Sequence, residues 1–102
     1  MANSSLKRVS DQALEQVAQR FRALSEPSRL KLIRALQGGG KNVSELVDLT
    51  GLSQPNVSRH LQLLLSAGLI GRKKAGLTVM YKIIDETLAD LCAIVCKSVA
   101  RR

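Results

Sequence analysis

Apolar side chains recur every three or four residues over most of the chain, a spacing that places them on one face of an α-helix. Three glycines in a row interrupt the pattern at 38–40, where a helix is expected to end. The pattern predicts four successive helices, which lie within residues 11–24, 25–37, 43–49 and 52–70.

The fourth predicted helix has two faces of different character. Ser53 suits the N-cap, Pro55 the first turn and Gly68 the C-terminal stop. An apolar stripe that must face a core is formed by Val57, Leu61, Leu64 and Leu65. The first two turns hold side chains of the kinds that contact bases and phosphates. We predict DNA binding through this end of the helix, by Ser53, Gln54, Asn56, Ser58, Arg59 and His60.

After this helix the apolar period shortens to two, which is typical of β-strands. We predict strands over 69–74 and 77–84, joined by a turn at Ala75 and Gly76. A basic hairpin that follows a DNA-recognition helix can lie on the neighbouring DNA backbone or minor groove as a wing. The predicted wing contacts are Arg72, Lys73 and Lys74.

The last predicted helix, over 85–101, is apolar around an arc of about 200°, roughly twice what a surface helix of a monomer needs. The surplus face requires a partner, and a second copy related by a two-fold axis is the simplest one. We therefore predict a homodimer whose interface includes Leu88, Leu91, Cys92, Val95 and Val99.

Composition and charge agree with a DNA-binding domain. The 102 residues suffice for one domain, with a flexible segment over 1–10 and the folded part over 11–102. The net charge is +8, and no acidic residue occurs between Asp48 and Asp85, which favours a polyanionic partner. Aromatic residues make up only 2%, too few for the stacking platforms of RNA and single-strand binders. The expected partner is double-stranded DNA.

Other classes of protein fit the sequence less well. Apolar runs are too short for a membrane span, and the first ten residues lack the apolar core of a signal peptide, so we expect a cytoplasmic protein without membrane association. The single histidine has no carboxylate or nucleophile near it in sequence on the same helix face, which speaks against an enzyme. A winged helix that binds only other proteins remains an alternative.

Three segments resemble the ArsR/SmtB family of bacterial transcriptional repressors: SEPSRLKLIRAL, VSELVDLTGLSQPNVSRHLQLLLSAGLI and MYKI. The resemblance implies a mainly α winged helix-turn-helix fold with a small β-hairpin, dimerised through the first and last helices. It also implies an operator-bound repressor that leaves DNA when an effector binds. By position, Gln54, Asn56, Ser58 and Arg59 look like the groove-facing residues. His60 looks like a further polar contact or a residue that couples the helix to the rest of the domain.

The effector is less clear from the resemblance, because the metal ligands of many relatives are missing. The third helix has no cysteine, and of a four-ligand set on the last helix only Asp85 remains, with Thr87, Ser98 and Arg101 at the other positions. No cofactor is therefore assigned. Cys92 and Cys96 lie on one face of the last helix. They could bind a soft metal or metalloid ion, undergo oxidation, or simply pack in the interior.

Overall fold

The computed structural model describes residues 6–101. Helices α1 to α4 are followed by an antiparallel hairpin and by helix α5, in the order predicted from the sequence. The bounds are α1 Asp11–Ala23, α2 Pro27–Leu36, α3 Val43–Thr50, α4 Gln54–Ser66, β1 Ile70–Ala75, β2 Thr78–Ile83 and α5 Glu86–Ala100. The predicted fold class, a winged helix-turn-helix, is confirmed. Residues 1–5 of the predicted flexible segment lie outside the described residues, and its flexibility stays a prediction.

Local signals fix the start of the two helices in the helix-turn-helix unit. The Asn42 side chain accepts a hydrogen bond from the Glu45 N–H at 2.8 Å, and the Glu45 carboxylate accepts one from the Asn42 N–H at 2.9 Å. This capping box opens α3 as predicted. Gly51 ends α3 with a φ of 74°, a left-handed conformation that suits glycine. The sharp turn at Gly51 lets α4 begin after only three intervening residues.

The core lies between α2, α3, α4 and the first residue of β1. Its most deeply buried side chains are Leu32, Leu46, Val57, Leu61, Leu64, Leu69 and Ile70. Three of them come from the apolar stripe predicted on α4, so that one face of α4 is fixed against the core. The opposite face of α4 consequently points outwards.

The hairpin is attached to the domain at two places. Ile70 pairs with Ile83 at the base of the hairpin and is buried. Further along β2, Tyr81 exchanges two backbone hydrogen bonds with Lys41, with N···O distances of 3.0 and 2.8 Å. The sequence pattern did not reveal this second attachment, because a single paired residue has no periodicity.

Helices α1 and α5 lie at the edge of the core. α1 contributes Ala23 and α5 contributes Ala89 to the buried residues. The two helices are joined by an ion pair between Arg20 Nη1 and Asp85 Oδ2 at 3.0 Å. Asp85 also caps α5 by accepting a hydrogen bond from the Leu88 N–H. Within residues 6–101, no helix is both long enough and apolar enough to cross a membrane.

Candidate nucleic-acid interface

The polar half of α4 forms an exposed surface, as the sequence predicted. Gln54, Asn56, Ser58 and Arg59 are all exposed, whereas the apolar residues on the other face are buried. The exposed Ser53 at the N-cap accepts a hydrogen bond from the Asn56 N–H at 3.3 Å, so its first role is to start the helix. The N-terminal end of α4 thus presents donors and acceptors that the protein core does not use.

Arg59 and Asn56 are paired on this surface. Arg59 Nη2 donates a hydrogen bond to Asn56 Oδ1 at 3.3 Å, which their spacing of three residues along one helix face allows. The contact holds the guanidinium near the start of α4 and leaves its other donors free for an incoming acceptor. Arginine and asparagine are the residues that contact guanine and adenine in pairs of hydrogen bonds.

The three predicted wing residues are exposed but do not share one face. Because side chains alternate along a strand, Arg72 and Lys74 lie on the face of their partners Tyr81 and Val79, and Lys73 lies on the other face. Lys82 pairs with Gly71 and therefore shares the face of Lys73. Sequence reasoning had left Lys82 out of the site, although the register of the hairpin could have shown its position.

His60 corrects the predicted DNA-binding set. Its side chain points into the domain and the residue is only 5% exposed, so it is not available to a base edge. His60 Nδ1 lies 3.3 Å from Arg29 Nη1, and its Nε2 lies 3.7 Å from Glu26 Oε2. The alternative expectation, that His60 couples α4 to the rest of the domain, fits this geometry.

The contact with Arg29 determines the protonation state of His60. A guanidinium can only donate, so Nδ1 must accept, and the ring is neutral with its proton on Nε2 facing the Glu26 carboxylate. Burial lowers the pKa of His60, the carboxylate of Glu26 acts in the opposite direction, and the cations of Arg59 and Arg29 lower it further. Protonation of Nδ1 would place two positive groups against each other.

The predicted dimer residues divide along the length of α5. Leu88 and Cys92, in the first half of α5, pack against the core of their own domain, and their part in a dimer interface stays a prediction. Val95 and Val99 are 55% and 62% exposed, and Leu91 is half-buried. A helical wheel gives the apolar arc of α5 but does not show how far along the helix the domain itself covers that arc.

The two cysteines line a groove between α5 and α2. Cys92 is half-buried and Cys96 is exposed, and neither forms a disulfide. Burial raises the pKa of the Cys92 thiol, with a further contribution from Cys96. Within residues 6–101, no group of three or more His, Cys, Asp or Glu side chains is arranged to hold a metal ion.

The His60 geometry predicts a pH dependence of stability. Because the pKa of His60 is lower in the folded than in the unfolded protein, unfolded chains bind the extra proton more readily as the pH falls below about 6.5. The free energy of unfolding should therefore be fully retained above that pH and decrease on acidification until the folded-state pKa is reached. Urea unfolding of the parent and of His60→Gln between pH 7.5 and 5.5 measures this. An equally large loss in both proteins would exclude His60 as the titrating group.

Comparison with known proteins places these features in a family. Residues 26–71, from the N-cap of α2 to β1, match the family model for bacterial regulatory proteins of the arsR family. A probable mercury resistance operon repressor of Streptomyces lividans is 39% identical to this chain. The match covers 70% of this chain and 57% of the length of that repressor. The transcriptional regulator NmtR of Mycobacterium tuberculosis is 35% identical over 81% of this chain and 69% of its own length.

A solved structure agrees with the sequence comparisons. The homodimeric winged helix-turn-helix DNA-binding domain Mb0332 of Mycobacterium bovis, a possible ArsR-family transcriptional regulator, superimposes with a TM-score of 0.79. It is 33% identical, and the match covers 92% of this chain and 89% of that domain. The order of elements and the exposed polar end of α4 agree with these similarities: the chain belongs to the arsR family of bacterial regulatory proteins.

Proposed function

We propose that this protein is a homodimeric transcriptional repressor that binds double-stranded operator DNA and is released by an effector. The observation that carries the proposal is the division of α4 into a buried apolar face and an exposed polar N-terminal end. A helix that is fixed in this way can enter a major groove end-on without disturbing the core. The similarity to a probable repressor and to transcriptional regulators of the family supports the same function and a cytoplasmic location.

The charge of the wing supports duplex DNA as the partner. Lys73 and Lys82 lie on one face of the hairpin, and Arg72 and Lys74 lie on the other. Cations on both faces let the hairpin reach phosphates on either side as it lies along a groove. Such contacts add affinity without reading the base sequence. Base preference would come from Gln54, Asn56, Ser58 and Arg59.

Exposed apolar side chains on α1 and α5 support the homodimer. On α1, Leu14, Val17 and Phe21 follow the helical spacing and are 40%, 42% and 50% exposed. On α5, Leu91, Val95 and Val99 form a second stripe. A two-fold axis that buries both stripes would carry one α4 per protomer, and such paired helices read half-sites about 34 Å apart.

The two cysteines of one protomer provide few ligands for a soft-ion effector. A soft ion at Cys92 and Cys96 has two thiols in one protomer, whereas closed sites for such ions use three or four donors. The thiols face α2 of their own domain, so the residues present do not complete a site. The half-buried Cys92, with its raised pKa, fits the packing alternative better than a reactive thiolate.

DNA binding can be tested on α4 with a matched pair of variants. Gln54→Ala and Arg59→Ala should each weaken binding to an operator duplex by about 1–3 kcal/mol and relax the base preference, because a base contact is lost. Gln62→Ala, an exposed position later in the same helix, should bind as the parent does. Fluorescence anisotropy of labelled duplexes at fixed salt measures the affinity of each variant. Unchanged affinity in Gln54→Ala and Arg59→Ala would contradict the proposal and favour the protein-binding alternative.

The dimer can be tested by placing a charge on each side of α5. Val95→Glu should bury an unpaired carboxylate in the interface and cost several kcal/mol of association. Ala93→Glu puts the same charge on the far side of the helix and should leave the dimer intact. Sedimentation velocity at micromolar protein distinguishes monomer from dimer. If the parent sediments as a folded monomer, the homodimer proposal is wrong.

The role of the thiols can be tested with the double variant Cys92→Ser and Cys96→Ser. We expect it to bind operator DNA within about twofold of the parent, since neither thiol contacts the DNA-facing surface. We also expect Cd(II) and arsenite to act on parent and variant alike, because one protomer supplies too few donors for a selective site. Release of the parent but not of the variant by either ion would establish soft-ion sensing at this pair.

A further inference from the structure

The groove between α2 and α5 has the size of a small-molecule site. Its volume is about 510 Å³, within the range of roughly 300–1,000 Å³ that ligand pockets occupy. Much of its lining is apolar, with Pro27, Leu30 and Ile33 from α2 and Ala93 beside the cysteines from α5. A ligand with a hydrocarbon body would remove this surface from water.

The charged residues of the groove all have the same sign. Lys31 and Arg34 on α2 and Lys97 on α5 line it, and none of its described lining residues is acidic. Burial raises the pKa of the Cys92 thiol, so this residue adds no negative charge that would offset the cations. An apolar lining with three cations is complementary to a molecule that carries one anionic head group and an apolar tail.

A second copy of the chain would not fill this groove by dimerising through the stripe on α5. At 100° per residue, the groove-lining positions of α5 (Cys92, Ala93, Cys96 and Lys97) are centred about 130° around the helix from Leu91, Val95 and Val99. The dimer proposed above is centred on one side of α5, with Cys92 at its border, and leaves Ala93, Cys96 and Lys97 on the side towards α2 open to a small molecule.

The groove also adjoins the contacts that hold α4. Pro27 and Leu30 line it, and Arg29, which lies between them in sequence, contacts His60 of α4. Glu26, the N-cap of α2, faces the same histidine. A ligand that shifts the first turn of α2 would disturb these contacts and with them the orientation of the recognition helix.

We propose that the α2–α5 groove binds a small organic anion with an apolar tail, such as a medium-chain carboxylate, and that binding weakens the affinity for DNA. This inference rests on the proposed repressor function and names the chemical class of its effector. The carboxylate would pair with Arg34, Lys31 and Lys97, while the tail lies against Leu30 and the cysteine side of α5.

The test measures binding of octanoate to the protein by calorimetry in the absence of DNA. Octanol, which has the same tail without the charge, should bind at least about tenfold more weakly, and Arg34→Gln and Lys31→Gln should each weaken octanoate binding about three- to tenfold. Lys7→Gln, which removes an exposed cation that does not line the groove, should bind octanoate as the parent does. Equal binding of octanoate and octanol, or no effect of the Arg34 and Lys31 variants, would overturn the assignment.

A second measurement tests the regulatory part. Saturating octanoate should raise the Kd for an operator duplex selected from a random library by about fivefold or more, and DNA should weaken octanoate binding by the same factor. Binding of octanoate without any change in DNA affinity would overturn the regulatory part of the inference. Failure of the ligand-free protein to bind any duplex would instead contradict the repressor function, so the two failures are distinguishable.

Discussion

The orientation of the DNA-facing surface depends on one arginine. Arg29 Nε donates a hydrogen bond to the Ala23 carbonyl at 2.6 Å, and its Nη2 donates to the Arg22 carbonyl at 3.4 Å. The other terminal nitrogen of Arg29, Nη1, lies 3.3 Å from Nδ1 of His60 on α4. A guanidinium stays charged and presents five donors in a fixed plane, so one side chain joins the end of α1, the start of α2 and the recognition helix.

This junction relates the two surfaces on which the proposed function depends. α1 carries one of the apolar stripes expected to face a partner, and α4 carries the residues expected to face DNA. Because Arg29 binds both helices directly, a displacement of α1 relative to α2 would alter the position of His60. The core beneath α4 consists of aliphatic side chains, which hold the helix in place by close packing, and the contact of Arg29 with His60 adds a directional link.

The sequence predicted those features that depend on neighbouring residues. Ser53, Asn42 with Glu45 and Gly51 act within one helical turn, so the ends of α3 and α4 could be located before the structure was known. The burial of His60 could not be predicted, because Glu26 and Arg29 lie more than thirty residues away in sequence. The packing of Cys92 against the core could not be predicted either, because a helical wheel gives the face of a side chain but not the element packed against it. Lys82, by contrast, could have been included from the sequence, because the register of the hairpin determines its face.

The bridge between Lys41 and Tyr81 has a consequence for how protomers can assemble. The outer edge of a two-stranded hairpin offers unpaired N–H and C=O groups, and such edges can join with other chains into extended sheets. Here the backbone of Lys41 occupies both groups of Tyr81 in the middle of β2. When many copies crowd along one stretch of DNA, this blocked edge interrupts strand addition between neighbouring wings. Crowding should therefore not lead to cross-β aggregation through β2.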